Sequence, residues 1–398
     1  MSELYELPDG WEWKKLSDIG KISTGKTPPK ANKEFYENGT IRFVKPPNLQ
    51  NSIDVTKTES DEFITENGAK KSTLLPKNSL MVCCIGSLGK FALSPENVIT
   101  NQQINSIVFN NEVINYKYGY YYGFMFEKLL NSVANEAVVK IVNKTIYSNL
   151  DIPLPPLSEQ QRIVSKLDLL FEKIDKSIAL HQKNMDEANA FMGSVLNDVF
   201  GELEEKYLKI PFFDIADVNR GKSKHRPRND KKLFGGPYPF IQTGDVRNAN
   251  KYIDTFTETY SEFGLSQSRL WGKGTICMTI AANIGDVAIL GIDSCFPDSV
   301  VGIYSENNSN DFIYYFLLTL KQQLESEATT TAQMNINLKV LQTIDVPLPP
   351  LNIQQKVVKY LDEISQKIEK IKQAQKAKMN SLKALKASIL DQAFKGEL

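Results

Sequence analysis

Asp151-Ile-Pro-Leu-Pro-Pro-Leu157 returns as Asp345-Val-Pro-Leu-Pro-Pro-Leu351, identical at six of seven positions and offset by 194 residues. Self-similarity of this kind marks a duplicated architecture. At the same offset Gln160-Gln161 returns as Gln354-Gln355 and Leu167-Asp168 as Leu361-Asp362, and after one inserted residue Gly201-Glu-Leu203 returns as Gly396-Glu-Leu398. The chain of 398 residues is therefore two copies of one unit. Upstream of the proline motif the copies align more loosely: Asp18-Ile19 with Gly25-Lys26-Thr27 answers to Asp214-Ile215 with Gly221-Lys222-Ser223, Phe43-Val44 to Phe240-Ile241, and Gly89 to Gly285. The proline motif and the segment after it stayed alike while the longer stretch before it drifted. That is expected if one part does a job common to both copies and the other does two different jobs.

The prolines fix an extended entry, after which Ser158 or Asn352 stands as a helix N-cap with Gln161 or Gln355 three residues on. Steps of three and four then place Val164, Leu167, Phe171, Ile174, Ile178, His181, Met185, Ala188, Met192, Val195 and Val199 on one stripe. The second copy places Val357, Leu361, Ile364, Ile368, Ile371, Gln375, Leu382, Leu385 and Ile389 likewise, and Gly201 and Gly396 suit the helix C-termini. A helix of about 40 residues is about 60 Å long, more than an ordinary core helix, so the two should pair. Helix one leads from the first globular part to the second and helix two follows the second, so pairing within the chain is expected to be antiparallel, with pseudo-twofold symmetry. Residues 158–200 carry five basic and seven acidic side chains against ten and four in 352–395, which favours that pairing over self-association. His181 and Gln375 fall at equivalent seam positions and read as a polar, register-setting layer rather than as catalytic residues.

Composition narrows the function classes. Hydrophobic residues at 41% and charged residues at 24% describe an ordinary globular chain, and the length calls for two or more domains. No basic run followed by an apolar core opens the sequence and no long apolar stretch occurs, so a cytoplasmic protein with no membrane contact is expected. Cys83, Cys84, Cys277 and Cys295 form no Cys-x-x-Cys pair and the only histidines are His181 and His225, so no metal site is expected. Lysine plus arginine equals aspartate plus glutamate at 47 each, so a nucleic-acid role would rest on local patches. Short β-branched and aromatic runs, Ile41–Val44, Leu80–Ile85, Thr275–Ile280 and Val287–Leu290, predict strands, and Tyr120–Leu130 and Asp311–Leu324 predict helices after them. Each copy is then α+β.

Gly20-Lys-Ile-Ser-Thr-Gly25-Lys26-Thr27 matches the phosphate-binding pattern G-x-x-x-x-G-K-[ST] letter for letter. That chemistry needs a helix N-terminus after the loop, and Pro28-Pro29 denies a helix running on from Thr27. The segment reads better as a basic turn present in both copies. The second version, Asn219 to Lys232, holds seven lysines or arginines against one aspartate, and the first carries Lys26, Lys30 and Lys33. Phosphates are the obvious partner. Nearby amides, hydroxyls and charges, Lys45, Asn48, Gln50 and Asn51 in one copy and Gln242, Thr243, Asp245, Arg247 and Asn248 in the other, can read base edges or cap turns. No G-x-S-x-G, H-E-x-x-H or dinucleotide-binding glycine motif occurs, so the chain reads as a binder without catalytic residues.

The opening Leu7-Pro-Asp-Gly-Trp11-Glu-Trp13 with Leu16, the Gly25-Lys-Thr-Pro28 turn, the repeated Pro-Leu-Pro-Pro-Leu with Gln-Gln, and the closing Phe394-Lys-Gly-Glu-Leu398 resemble the specificity (S) subunit of type I restriction-modification systems along essentially the whole chain. The resemblance implies target recognition domains at 1–150 and 204–344, each reading one half of a bipartite, asymmetric double-stranded DNA site. It implies proline motifs with coiled-coil helices at 151–203 and 345–398, acting as a ruler. It also implies two modification subunits that methylate adenine with S-adenosylmethionine, restriction subunits that translocate and cut with ATP and magnesium, and no cofactor in this chain. Carried onto this sequence, the DNA-facing residues are Thr24, Lys26, Thr27, Lys30, Lys45, Asn48, Ser87 and Lys90 in the first domain. In the second they are Arg220, Lys222, Ser223, Arg226, Arg228, Gln242, Thr243, Asp245, Arg247 and Asn283. Against this stand a coiled-coil adaptor with protein-binding heads, a P-loop NTPase, which would bind ATP through Lys26, and a DNA-binding chain that cuts by itself.

Overall fold

The computed structural model describes residues 5–58, 61–134, 139–281, 284–321, 324 and 338–398. The chain forms two compact units, 1–180 with 378–398 and 181–377. The long helices are α1, Leu157–Lys206, and α2, Leu351–Lys395, and each gives residues to both units.

In the first unit a four-stranded antiparallel sheet runs in the order Gly20–Thr24, Ile104–Phe109, Leu80–Cys83, Phe91–Leu93. A three-stranded sheet sets Ile41–Val44 between Glu62–Ile64, antiparallel, and Val98–Thr100, parallel. Glu12–Lys15 pairs with the proline-motif strand Asp151–Leu154. The second unit repeats this plan: Asp217–Arg220, Val300–Tyr304, Ile276–Thr279, Val287–Leu290 and Tyr252–Ile253 form one sheet. Glu258–Tyr260, Phe234–Phe240, Ser294–Cys295 and Leu270–Trp271 form another, and Lys209–Pro211 pairs with Asp345–Pro347. The predicted runs Ile41–Val44 and Val287–Leu290 are strands end to end, while the helix expected at Tyr120–Leu130 starts earlier, at Tyr116, capped by Asn115.

Both long helices begin sooner than expected. Ser158 and Asn352 lie inside them, because the Pro156 carbonyl already accepts from Glu159 and Gln160, and the Pro350 carbonyl from Ile353 and Gln354. The glutamine that matters is also the earlier of each pair. Gln160 is fully buried; its amide donates to the Pro155 carbonyl at 2.8 Å and its Oε1 accepts from the Asn115 amide at 2.8 Å. Gln354 does the same with the Pro349 carbonyl at 2.9 Å and the Ser309 amide at 2.9 Å, so each ties the proline turn to the N-cap of a helix in its own globular part. Asp168 accepts from Tyr121 at 2.6 Å and Lys117 at 2.7 Å, and Asp362 from Tyr315 at 2.5 Å and Lys251 at 2.6 Å. Burial and those carboxylates push both tyrosine hydroxyls up, so they stay protonated donors.

The predicted stripe is the seam, with two departures. Val164, Leu167, Phe171, Ile174 and Val195 are buried on α1, and Leu361, Ile368 and Ile389 on α2. Ile371 and Leu385, however, are 48% and 49% exposed, as the drift of an α-helix off a strict seven-residue repeat allows. Within the first unit the helices run antiparallel, with Arg162 reaching the Leu398 carbonyl at 2.7 Å and Asp175 pairing with Lys386 at 2.9 Å. In the second, His181 Nδ1 meets Gln375 Oε1 at 2.5 Å, at the predicted polar layer. Each unit also receives the far end of one helix. Phe394 packs edge-on against Tyr118 and Tyr122, while Phe200 packs against Phe312 and Phe316, the residues 194 positions on.

Only one of the two glycine stops is one. Gly396 ends α2 with φ +75°, where a Cβ would meet Pro8 at 2.3 Å, whereas α1 passes through Gly201 to Lys206. The residues after Gly201 favour helix and bury Leu203 in the core, which outweighs the roughly 1 kcal/mol cost of an internal glycine. Among the described residues no helix is long and apolar enough to cross a membrane.

Candidate nucleic-acid interface

The segment that spells a phosphate-binding loop is not one. Gly20–Thr24 is an extended strand, paired residue by residue with Asn105 through Phe109, and no helix follows Thr27 directly. The glycine that recurs in both copies serves the turn instead. A Cβ on Gly25 would stand 2.3 Å from the Thr100 and Asn101 carbonyls, and one on Gly221 2.3 Å from the Pro297 carbonyl. Each basic turn is therefore pressed against the end of a neighbouring strand.

In the first unit that turn is fastened by side chains expected from the sequence to face DNA. Thr24 bonds to Asn105 at 2.6 Å, Thr27 to Gln102 at 2.7 Å, and the Lys26 amide to Ser72 at 3.0 Å, leaving the Lys26 ammonium exposed. Lys45 is ion-paired with Glu62 and lies over the Phe43 ring, and Lys30, 3.9 Å from the same carboxylate, brings the turn to it. Asn48 is a buried cap and not a surface contact: it is 4% exposed, its amide donating to the Thr56 carbonyl and Asp61 and its oxygen accepting from the Lys45 amide. Burial raises Asp61, but hydrogen bonds from Thr58, Asn48 and Arg42 outweigh it and hold that carboxyl below its usual range. Ser87 and Lys90 are exposed in the turn before Phe91–Leu93, where Gly89 takes φ +79° as its counterpart Gly285 does.

In the second unit Ser223, Arg228, Gln242 and Thr243 come together. They line one open cavity of about 720 Å³ with Lys231, Glu258, Phe234, Phe240 and Tyr260. Phe240 and Tyr260 stack with centroids 4.0 Å apart and form its apolar wall. Arg228 Nη2 donates to both carboxylate oxygens of Asp298, at 2.8 and 2.9 Å, and the side chain keeps half its surface exposed. Arg226 folds back onto the Ser223 and His225 carbonyls. Asp230, bonded by the Lys232 amide and His225, holds its carboxyl below the usual range and fastens the loop from the other side. Arg220, Lys222 and Arg247 are exposed. Asp245 is a cap rather than a free reader, since its Oδ2 accepts from the Gln242 amide at 2.8 Å. Asn283 lies outside the described residues.

Sequence reasoning missed Glu62 and Glu258. The two glutamates sit opposite Phe43 and Phe240 through strand pairing, a contact that no local spacing announces. The duplicated layout, each copy with a strand-end polar group beside a basic turn, is matched along the sequence by the family described as type I restriction modification DNA specificity domain, at residues 8–188 and again at 207–380. The chain belongs to that family. Each match falls on one copy of the repeat, as a duplicated specificity domain requires. A type I restriction enzyme specificity subunit of Methanocaldococcus jannaschii, MjaIX, is 23% identical across 100% of this chain and 95% of its own. The EcoR124I/EcoR124II specificity subunit of Escherichia coli is 31% identical over 44% of this chain and 46% of its own. Among solved structures, a chain from the complex assembly and conformational transition of the type I R-M system shares the fold with TM-score 0.75 at 22% identity, covering 99% of this chain and 100% of that one.

Proposed function

We propose that this specificity chain is the sequence-reading subunit of a type I restriction-modification complex, its parts 1–150 and 204–344 each reading one half of a bipartite, asymmetric double-stranded DNA site. The parts 151–203 and 345–398 are the scaffold, set the spacer and dock two modification subunits. Those subunits bring S-adenosylmethionine and methylate adenine, which they must flip out of the duplex. Restriction subunits bring ATP and magnesium, and this chain contributes no catalytic group. Lys26 and Lys30 in one copy, and Arg220, Lys222, Arg226, Arg228 and Arg247 in the other, meet phosphates.

The observation that supports this reading best is the contrast between the two halves of each copy. The main scaffold contacts recur at equivalent positions, Gln160 and Gln354 on the proline-turn carbonyl and Asp168 and Asp362 on Tyr121 and Tyr315, while the polar groups beside the basic turns differ. A shared holder with two different readers is what an asymmetric site needs. Single-molecule methylation sequencing tests it, on DNA from a host carrying the matching modification subunit with and without this chain. One bipartite methyladenine motif that depends on the chain is the expected result; a modification subunit that neither binds the chain nor gains a motif from it overturns the reading.

A further inference from the structure

Lys45 and Gln242 hold the same structural place. Each precedes a short helical turn, and each has its amide N–H bonded by the side chain three residues on, Asn48 at 2.9 Å and Asp245 at 2.8 Å. Each follows a strand whose last phenylalanine position is paired with a glutamate, Phe43 with Glu62 and Phe240 with Glu258. The glutamate then grips the side chain: Glu62 pairs with the Lys45 ammonium, and Glu258 accepts from Gln242 Nε2 at 2.7 Å. In both copies a basic turn faces the pair, Lys30 beside Glu62 and Arg228 with Lys231 in the cavity that Glu258 and Gln242 line.

The carboxylate is constant and its partner changes from a cation to a neutral amide. A carboxylate kept only to balance Lys45 would have no purpose beside Gln242, and next to a phosphate-facing turn it would repel the ligand. Its constancy is explained if it orients the neighbouring side chain. A lysine so held offers only donors, matching the two acceptors, N7 and O6, that guanine shows in the major groove. A glutamine with one Nε2 proton held by Glu258 offers its remaining N–H and its Oε1 side by side, matching the acceptor N7 and donor N6 of adenine.

We propose that Glu62 and Glu258 are positioning residues for two base readers, Lys45 selecting guanine in one half-site and Gln242 selecting adenine in the other. This rests on the DNA-reading function proposed above. The test uses the full chain assembled with its modification subunits, comparing methylation motifs for the unaltered chain, Gln242→Lys, Lys45→Gln and Glu258→Ala. Gln242→Lys is expected to turn one adenine position in a single half-site toward guanine, and Lys45→Gln one guanine position in the other half toward adenine. Each shift in preference should be roughly five- to hundred-fold, the range of a good base contact. Glu258→Ala should blur the same position that Gln242→Lys moves. If a variant methylates too weakly to read, competition binding of its folded complex by duplexes differing only at that base replaces the motif. Unaltered motifs, or variants that lose affinity equally for every base, overturn the proposal while leaving the unaltered chain's motif, and hence its DNA-reading function, intact. Absence of any motif with the unaltered chain would instead remove the function itself.

Discussion

At the residue scale, the side chains marked from sequence divide by what the backbone already asks of them. Asn48 and Asp245 are capping groups, because each stands three residues into a helical turn whose first N–H would otherwise lack a partner. Arg226 and Arg228 keep a guanidinium face exposed although each is bonded, Arg226 to two carbonyls and Arg228 to Asp298. The exposed Arg228–Asp298 pair is worth about 0–1 kcal/mol, and Arg226 is held only by exposed hydrogen bonds to backbone carbonyls, so a phosphate can displace or share these bonds at little cost. Replacing both arginines by alanine in the assembled complex should weaken binding uniformly across sequences and lower the slope of log K against log salt by about two, one for each lost phosphate contact. A titration of affinity against salt checks this, and an unchanged slope takes both residues off the phosphate path. The basic turns were legible as composition, since seven cations in fourteen residues need no partner to be seen. Glu62 and Glu258 were not, because a strand's partner is a long-range choice, and only the pairing with Phe43 and Phe240 brings them to Lys45 and Gln242.

At the scale of elements, the repeat specified the two long helices and their seam, since a stripe of apolar residues every three to four positions has one stable use. Their ends were less legible. Local rules ended α1 at Gly201, but the burial of Leu203 and the helix-favouring residues around it carry the helix on, while the same glycine at 396 meets Pro8 and stops. The seam pattern did not announce that each helix also anchors a globular part by its last turns. Phe200 and Phe394 are both 3% exposed, and each is wedged among aromatic rings of a different unit. Truncating a buried phenylalanine removes its transfer free energy and leaves a cavity, so Phe200→Ala and Phe394→Ala should each cost about 3–5 kcal/mol of unfolding free energy. Leu385→Ala on the same α2 helix, at 49% exposure, should stay within roughly 0.5 kcal/mol. Denaturant unfolding of the three variants separates the cases. Losses equal to the Leu385 control would mean the phenylalanines do not join helix to domain.

At the scale of the molecule, neutrality and duplication belong to one argument. With 47 cations and 47 anions the chain carries no net charge to draw DNA, so a DNA-reading role rests on local groups. Across the seam Asp175 meets Lys386 and His181 meets Gln375, and a whole heptad is the insertion that disturbs such layers least, since it turns the face by only about 20°. Seven residues inserted between Leu180 and His181 of α1, together with seven between Ala377 and Lys378 of α2, fall where the two compact units divide and leave both cores untouched. Such a pair of insertions adds about 10 Å of helix, roughly three base pairs of duplex at 3.4 Å each. If the helices set the spacer, the complex should methylate the same two half-sites with a spacer about three base pairs longer. An insertion in α1 alone displaces the seam against an unchanged α2 and should abolish methylation. Methylation sequencing of both variants decides the matter: a doubly extended chain that still methylates at the original spacer would show that something other than these helices measures the distance.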